Sequence, residues 1–444
     1  METILFFPAY AYGHINRCFR LARDLQEDYQ VIFVSQLKYK KFITENGFGF
    51  IPIALQYSKI NHEKIEVRAF LKYFLTLMTN PSLRKNRKEM FYREMDFFEE
   101  RIQEINPKIV FLDIFLSHYY PFFKFHQKAC ICFQTSPSKH RTGSNFPISS
   151  YRVPSDTSRG KLLSKWSWTV YFLKVYFNKK LVSLLSMKTD NQSLFTEYCL
   201  SLKLDPRQIF DFNRALFPGV KDIPELVFPP RAFDFPDTRP LPNQYYLRHQ
   251  VLEERHEIDT DNVLNEIIEE VGSNIVYCSF GSLPEVHNRR IDQLVDDLVY
   301  LAANQFPEYH FIFSLPGRLF VNGKHAANVH FFHHVPQLRV LQKSVLFITH
   351  GGISSVMESL FYEVPMLVCP LNTEWDQPGN AARVQYHNLG LWIKPGRDGR
   401  KVILSKIKWL LLENGLFKKN IREFNSKVHD DSKGFYTILR GLLE

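Results

Sequence analysis

The sequence has 444 residues, which is more than one ordinary hydrophobic core holds and indicates two domains of about 200 residues each. Apolar residues make up 45% and charged residues 23% of the chain, a composition typical of folded proteins and not of disordered ones. The net charge of +10 favours anionic partners, either phosphates or lipid headgroups. Because the sequence contains no nucleic-acid-binding motif, we expect no nucleic-acid partner.

The sequence lacks the patterns of secreted, membrane-spanning and metal-binding proteins. An apolar run begins at Thr3 with no basic region or cleavage site before it, which predicts no signal peptide. No uninterrupted stretch of about 18 apolar residues predicts a spanning helix. The six cysteines are scattered and form no paired motif, so we expect neither a disulfide framework nor a metal site. We predict a cytoplasmic protein.

In the first part of the chain, short apolar runs alternate with helical patterns. The predicted helices include Asn16–Glu27 and Arg93–Ile105. This alternation predicts βα units and a parallel sheet with helices on both faces. The predicted strands are Thr3–Phe7, Val31–Ser35, Phe48–Ile53, Ile109–Leu112 and Ala129–Phe133.

The alternation is interrupted by a helical and basic insertion at about 140–208. Between Thr157 and Thr189 there are seven Lys or Arg residues and no acidic residue, with Trp and Phe interleaved. Such a segment is typical of helices that lie on an anionic membrane surface, so residues 160–189 are a candidate for peripheral attachment at the inner membrane. The alternative is a core helix whose Lys side chains extend to solvent. The sequence leaves both interpretations open.

A proline-rich passage follows, and it predicts the boundary between two domains. Its prolines interrupt helices and central strands, so we predict a linker at 236–252 after an N-terminal domain of residues 1–235. They are Pro218, Pro224, Pro229, Pro230, Pro236, Pro240 and Pro242.

A second series of strands and helices predicts a C-terminal domain over residues 253–425. We expect the last segment, 426–444, to form a helix that packs back on the N-terminal domain. Two α/β halves imply a cleft between the carboxyl ends of their strands, where ligands bind. The predicted strands of this half are Asn274–Ser279, His310–Ser314, Val329–Phe332, Leu346–Ile348, Met366–Val368 and Leu391–Ile393.

The segment from Phe347 to Glu358 has the pattern of a phosphate-binding turn. A buried strand leads into a Gly pair, and a helix begins near Ile353. The backbone N–H groups and the helix dipole at this point favour an anion. Ser354 and Ser355 add hydroxyl donors, and Glu358 lies on the same helical face, where a carboxylate can bind the hydroxyls of a ribose.

A candidate catalytic base lies in the N-terminal half. His14 follows the first strand in the turn Gly13-His14-Ile15-Asn16, and a neutral imidazole at this position can accept a proton from a hydroxyl. Asp113 ends a neighbouring predicted strand, so we expect it to reach His14, fix its tautomer and stabilise the imidazolium.

From His334 to Ala381 the sequence resembles the signature segment of UDP-dependent glycosyltransferases, in the bacterial-type branch of that family. The resemblance implies the GT-B fold, in which two Rossmann-like α/β domains with parallel sheets face each other across a cleft. The Gly13-His14 turn and Asp113 are similar to the family's base and its partner, so the resemblance extends to both halves. The matching pieces are Pro336-Gln337, Thr349-His350-Gly351-Gly352, Ser354-Ser355, Glu358, Val364-Pro365 and Asp376 to Ala381.

The resemblance also implies a set of residues that bind the UDP-sugar. His350 and the Ser354-Ser355 turn are expected to bind the diphosphate, Glu358 the ribose, and Asp376 with Gln377 the sugar hydroxyls. Where many relatives stack Trp on uracil, this sequence has His334. The residues expected to contact the donor are Gly13, Gly281, Ser282, His334, Val335, Gln337, His350, Gly352, Ser354, Ser355, Glu358, Asp376 and Gln377.

These observations predict an inverting UDP-glycosyltransferase. His14 deprotonates a hydroxyl of a small, hydrophobic acceptor (a phenol, a terpenoid or carotenoid, or a lipid), which attacks the anomeric carbon of a UDP-sugar, expected to be UDP-glucose. The UDP-sugar is a substrate, and no cofactor or metal is expected. The alternatives are a non-catalytic UDP-sugar-binding protein and a sugar-nucleotide epimerase or hydrolase on the same fold. A nicotinamide oxidoreductase is disfavoured, because neither first βα turn contains GxGxxG.

Overall fold

The computed structural model describes residues 1–53, 74–257, 262–281, 289–315, 326–428 and 432–443. In this part of the chain, the N-terminal half contains a parallel sheet of seven strands. Its central strands Thr3–Phe7 and Ile109–Asp113 are buried along their whole length and consist mainly of Ile, Val, Leu and Phe, as expected for a sheet covered on both faces. In chain order the strands are β1 Thr3–Phe7, β2 Gln30–Ser35, β3 Gly49–Pro52, β4 Ile109–Asp113, β5 Ala129–Gln134, β8 Glu225–Val227 and β9 Gln244–Tyr246.

Their spatial order is β3-β2-β1-β4-β5-β8-β9, which makes β1, β4 and β5 neighbours. A short antiparallel pair, β6 (Phe210–Asp211) and β7 (Gly219–Val220), precedes β8 in the chain. The helices of this half are α1 Tyr12–Leu25, α2 Lys40–Glu45, α3 Pro81–Ile105, α4 Tyr120–Phe125, α5 Ser158–Leu185, α6 Asn191–Ser201 and α7 Pro206–Ile209.

The proline-rich passage, which the sequence predicts to end the first domain and to link it to the second, contains two short strands of the N-terminal sheet. β8 is an interior strand of the N-terminal sheet, and β9, within the range 236–252, is its edge. Both strands are only three residues long, and Pro224 and Pro229 lie just outside β8, so its ladder loses no N–H group.

The C-terminal half contains a parallel sheet with the order β12-β11-β10-β13-β14-β15 among the described residues. Its strands are β10 Ile275–Ser279, β11 His310–Ser314, β12 Val329–Phe332, β13 Ser344–Thr349, β14 Met366–Val368 and β15 Gly390–Trp392. Its helices are α8 Asn262–Val271, α9 Arg289–Gln305, α10 Gln337–Lys343, α11 Ile353–Phe361, α12 Gln377–Tyr386, α13 Arg400–Leu412 and α14 Asn414–Ser426. The fold is therefore the predicted pair of Rossmann-like domains.

Each sheet has an apolar cluster on both faces, so each half has its own core. The last helix, α15 (Ser432–Leu443), belongs to the N-terminal core. Phe435 and Leu439 are buried there, and the Phe435 ring centroid lies 6.4 Å from that of Phe111 in β4. The end of the chain thus returns to the first domain.

Helix α5 is not the core helix of the second interpretation. Only Ser164 and Trp168 are buried among its residues, and both are anchored to the backbone carbonyl of Asn145. Within the described residues, no helix combines the length and hydropathy that crossing a membrane requires.

Candidate active site

The centre of the site is a pair formed by His14 and Asp113. His14 lies in the first turn of α1, directly after β1, and Asp113 ends the adjacent strand β4. Because the carboxyl ends of neighbouring parallel strands meet at one edge, the His14 Nδ1 atom lies 2.6 Å from Asp113 Oδ2. Two backbone N–H groups, of Ala9 and Phe115, donate to the same carboxylate at 3.0 Å each. This fixes the carboxylate, which in turn holds the His14 imidazole through its Nδ1 atom.

The first turn of α11 meets this pair from the other domain. The Ser354 hydroxyl donates to the backbone oxygen of Gly13 at 2.9 Å, so the expected phosphate turn and the residue before His14 are in contact. A Cβ atom on Gly13 would lie 3.3 Å from Ser354 Oγ, so a larger residue would crowd this contact. The first N–H groups of α11 have no acceptor within the helix and point to this contact.

His350 packs against two glycines in the same turn. A Cβ atom on Gly352 would lie 2.5 Å from the His350 Nε2 atom, and one on Gly281 would lie 3.0 Å from it. Gly281 adopts φ +88° at the end of β10, a conformation that favours glycine. Burial lowers the pKa of His350 to about 4, so the imidazole is neutral at pH 7. Ser282, which we also expected here, lies outside the described residues.

The expected ribose carboxylate, Glu358, is buried and held by two side chains. Its Oε1 atom lies 2.5 Å from Arg255 Nη1, and its Oε2 accepts a hydrogen bond of 2.6 Å from Gln337. Arg255 also pairs with Glu257, whose other oxygen accepts from the backbone N–H of Leu338 at the start of α10. Gln337 further approaches Ser355 Oγ at 3.4 Å. Glu358, Gln337 and Ser355 are therefore brought together as the sequence predicts.

The expected sugar-binding residues lie at the start of α12. Burial raises the pKa of Asp376, while Lys139, Asn380 and His14 act in the opposite direction, so Asp376 lies in the electrostatic neighbourhood of the catalytic pair. Gln377 uses its side-chain oxygen to accept two backbone N–H groups, of Leu371 and Asn372, at 2.9 Å each. It thereby orders the loop before Asp376 and keeps only its amide N–H₂ for a ligand.

The expected base-stacking position is more open than the rest of the site. His334 lies in the loop between β12 and α10, and much of its side chain is exposed. The partial burial of the rest, together with the neighbouring His333, lowers the pKa of His334. Val335, the next residue, is half-buried against the core of the C-terminal domain. Both residues precede α10, which carries Gln337.

Two buried cations at this site were missed in the sequence. Lys139, 1% exposed in the loop after β5, lies 4.2 Å above the Phe115 ring, and its ammonium has no hydrogen-bond partner among the residues that the structure describes. Burial lowers its pKa to about 8, opposed by Asp113 and Asp376. Arg17, 2% exposed on α1, likewise has no described partner for its guanidinium, and burial lowers its pKa to about 10, opposed by Glu358.

Lys139 could have been predicted from its position after a strand whose carboxyl end lies beside that of β4. The loop after β5 leaves the same sheet edge as Asp113, and Thr135 in it approaches His14 Nδ1 at 3.2 Å. Each of the two cations thus acts electrostatically on a carboxylate of the opposite domain, Lys139 on Asp376 and Arg17 on Glu358.

The family model of UDP-glucoronosyl and UDP-glucosyl transferases matches residues 232–433, somewhat less than half of the chain. The C-terminal domain belongs to this family. The family that the sequence resembled is thereby confirmed for the part of the chain that carries the nucleotide-binding pattern.

The curated relatives match the chain over short segments. The chain is 34% identical over 97 residues to the uncharacterized UDP-glucosyltransferase YdhE of Bacillus subtilis (strain 168), covering 22% of this chain and 24% of that protein. It is 43% identical over 54 residues to the zeaxanthin glucosyltransferase of Pantoea ananas, covering 12% of each. The matched segments thus span about a quarter or less of these relatives' length.

A solved structure shows that the likeness in fold includes both halves. The crystal structure of the glycotransferase of kitacinnamycin superimposes with a TM-score of 0.65 at 16% identity, covering 99% of this chain and 98% of that one. The predicted GT-B fold is therefore confirmed, with the UDP-glycosyltransferase domain as its second half.

A large cavity lies beside the catalytic pair, between α5 and the UDP-glycosyltransferase domain. Its volume is about 1450 Å³, and its wall is largely apolar and aromatic. Phe217 and Trp375 line it, and both rings pack on Phe115, whose centroid is 4.7 Å from that of His14. The cavity therefore leads to the surroundings of His14, and it has the size and chemistry of a site for a hydrophobic molecule.

Proposed function

We propose that the protein transfers glucose from UDP-glucose to a hydroxyl of a small hydrophobic acceptor, with inversion at the anomeric carbon. The observation that carries the proposal is the contact of the two domains at the reaction centre, where Ser354 bonds to Gly13 and His14 bonds to Asp113. A base and an anion-binding helix terminus then lie on the two sides of one crevice.

In the proposed reaction, His14 Nε2 accepts the proton of the acceptor hydroxyl while the hydroxyl oxygen bonds to the anomeric carbon. The bond from that carbon to the β-phosphate oxygen breaks, and UDP leaves from the opposite face with the added negative charge. Asp113 stabilises the imidazolium, and the N-terminus of α11 stabilises the leaving diphosphate. The UDP-sugar is a substrate and not a resident cofactor.

Two features support the finer parts of the proposal. The relatives named above are called glucosyltransferases, which supports glucose as the sugar. One of them is named for zeaxanthin, and the cavity wall is aromatic, which together support a hydrophobic acceptor. The cytoplasmic location expected from the sequence stays a prediction, which cell fractionation tests.

The test is acceptor-dependent release of UDP. The protein is incubated with UDP-glucose and a panel of phenolic, terpenoid and lipid alcohols, and both UDP and the anomeric configuration of the product are followed. We expect release that requires the acceptor and that His14→Ala lowers by about a thousandfold or more. His126→Ala is a matched control, because His126 pairs with Glu99 and precedes β5, at the other edge of the sheet.

Other outcomes identify the alternatives. Loss of UDP-glucose without acceptor would indicate a hydrolase, and formation of another UDP-hexose an epimerase. Tight UDP binding with no turnover on any acceptor would indicate a binding protein. A product that retains the donor's anomeric configuration would contradict the single displacement.

A further inference from the structure

Helix α5 exposes an apolar face that the described residues do not cover. It has 28 residues, of which Ser164 and Trp168 are buried. Trp166 is 65% and Phe177 64% exposed, although large aromatic side chains of soluble proteins are usually covered. The other exposed apolar side chains on this outer face are Leu162, Leu173, Tyr176 and Leu184.

These side chains share one side of the helix. From Leu162 the spacing runs by four to Trp166, by seven to Leu173, by four to Phe177 and by seven to Leu184, which keeps all five within one stripe. The stripe is roughly 33 Å long at the usual rise per residue. A largely apolar stripe of this length is a surface that can lie on another apolar phase.

The charges around the stripe indicate which kind of apolar surface it can contact. The seven basic residues between Thr157 and Thr189 are accompanied by no acidic one. Described ion pairs engage Lys161 with Asp156 and Lys174 with Glu374. Lys165 is exposed beside the stripe, and Lys180 is exposed at the same angular position as Leu162, from which its long side chain can extend to the headgroups. A symmetric contact with a second copy of this chain would bring these lysines against each other. An anionic lipid surface complements both the charge and the apolar stripe.

The stripe also adjoins the cavity. Trp166 is exposed on the outer face and at the same time lines the cavity, as does Val170 one turn further on. The cavity is partly open to the surface at this helix and extends to Phe217 and Trp375 near His14. A hydrophobic molecule that leaves a bilayer at α5 therefore meets the cavity wall without crossing water.

We propose that α5 docks on an anionic membrane surface, with the stripe Leu162–Leu184 among the acyl chains and Lys165 and Lys180 at the headgroups, and that the hydrophobic acceptor enters the cavity from the bilayer. The docking itself stands on the helix alone. The route of the acceptor rests on the proposed function.

Vesicle flotation tests the docking without using the reaction. The full chain is mixed with vesicles of phosphatidylcholine alone or with 30% phosphatidylglycerol, at low and at high salt. We expect flotation with the anionic vesicles, reduced at least tenfold by Leu173→Ser/Phe177→Ser and made independent of salt by Lys165→Glu/Lys180→Glu. None of these four residues lines the cavity.

A matched control is available on the other domain. Helix α13 also exposes large apolar side chains, Trp409 at 50% and Leu412 at 77%. Trp409→Ser/Leu412→Ser is expected to float as the wild type does. Equal loss in this control would overturn the assignment to α5, and so would a wild type that stays with the soluble fraction. Dimerisation in solution that Leu173→Ser/Phe177→Ser abolishes would assign the stripe to a second copy and overturn the proposal.

The route of the acceptor has its own readout. With a hydrophobic alcohol embedded in vesicles, we expect Leu173→Ser/Phe177→Ser to lower the rate of UDP release at least fivefold. With a water-soluble phenol the rate is expected to be unchanged. If Leu173→Ser/Phe177→Ser lowered the rate equally on both acceptors, or on neither, the route would be overturned while the docking stayed intact. No transfer by the wild type to any acceptor would contradict the proposed function and not the docking.

Discussion

A single carboxylate decides how His14 can act. Asp113 is fully buried and accepts from two backbone N–H groups besides the imidazole, so its orientation does not depend on a ligand. The ring edge of His14 also packs on Phe115, which limits its rotation. The orientation of the His14 ring is therefore determined by its contacts with Asp113 and Phe115.

Asp113→Asn tests the pair without changing its shape. The amide keeps the size of the side chain but loses the charge that stabilises the imidazolium, so we expect turnover to fall by about a thousandfold. The affinity for UDP is expected to stay within twofold, because Asp113 lies in the opposite domain from the nucleotide residues. Steady-state kinetics and calorimetry of UDP binding measure the two quantities. A variant that loses UDP affinity and turnover together would indicate a structural role for Asp113.

Lys139 is expected to lower the stability of the folded chain. Burial lowers its pKa from 10.5 to about 8, so the cost of the buried charge is present below pH 8 and disappears as the pH rises toward 10.5. We expect Lys139→Met to raise the free energy of unfolding by about 2 kcal/mol at pH 7 and by less at pH 9.5. Urea unfolding at both pH values measures the difference. A variant less stable than the wild type at pH 7 would show that the contacts with Phe115 and the two carboxylates outweigh burial.

At the scale of elements, the N-terminus of α11 depends on a charge network that begins in another segment. Glu358 on this helix is held by Arg255, which is separated from it by 103 residues in the chain. Arg255 is buried and has Glu257 as its second partner. The network orients the carboxylate that we expect to bind the ribose.

Glu358→Gln is expected to destabilise the protein by about 2 kcal/mol, because Arg255 then loses its buried anion and keeps only the partly exposed Glu257. It is also expected to weaken UDP binding at least tenfold. The matched control is Glu363→Gln beyond the end of the same helix, where an exposed ion pair with Arg422 is worth less than about 0.5 kcal/mol. Urea unfolding and UDP calorimetry provide the measurements. If Glu358→Gln and Glu363→Gln had the same stability and the same affinity for UDP, the network around Arg255 would contribute to neither.

The elements also show how far the sequence carries. The mostly buried strands β1 and β11 are predicted residue for residue, because a buried parallel strand needs little beyond its own composition. The three-residue strands β8 and β9 escape prediction, since their pairing partners and not their composition hold them in the sheet. The motifs give His14, Asp113, Glu358 and Asp376, whereas Lys139, Arg17 and Arg255 belong to no motif and become visible only through contacts distant in the chain.

At the scale of the whole molecule, the site exists only because the two domains are held at a fixed distance. Gly13 touches Ser354, and a Cβ atom on Gly379 would lie 2.2 Å from the backbone oxygen of Ile148, so α1 and α12 pack closely against the opposite half. Because α15 packs in the N-terminal core, the chain crosses between the two domains a second time. Separating them would leave the base and the nucleotide residues apart.

The buried pair of Asp234 and Arg383 joins the C-terminal domain to the loop after β5. Arg383 on α12 donates to Asp234 Oδ1 at 2.8 Å and stacks on Phe235, while Asp234 Oδ2 accepts from Ser138, the residue before Lys139. Asp234 therefore connects the helix that begins after Asp376 with the loop that carries Lys139. We expect Asp234→Asn to cost about 3 kcal/mol, because it leaves Arg383 buried without an anion.

The substitution is also expected to make unfolding less cooperative. We expect a single calorimetric transition for the wild type and a broadened or split one for Asp234→Asn. Turnover should fall more than the affinity for UDP, since all but one of the residues expected to bind the donor lie in the C-terminal domain. Lys174→Met is the matched control, because the exposed pair of Lys174 and Glu374 also joins the halves but contributes at most about 1 kcal/mol. A split transition in the control, or an unchanged one in Asp234→Asn, would show that apolar packing alone holds the two domains in register.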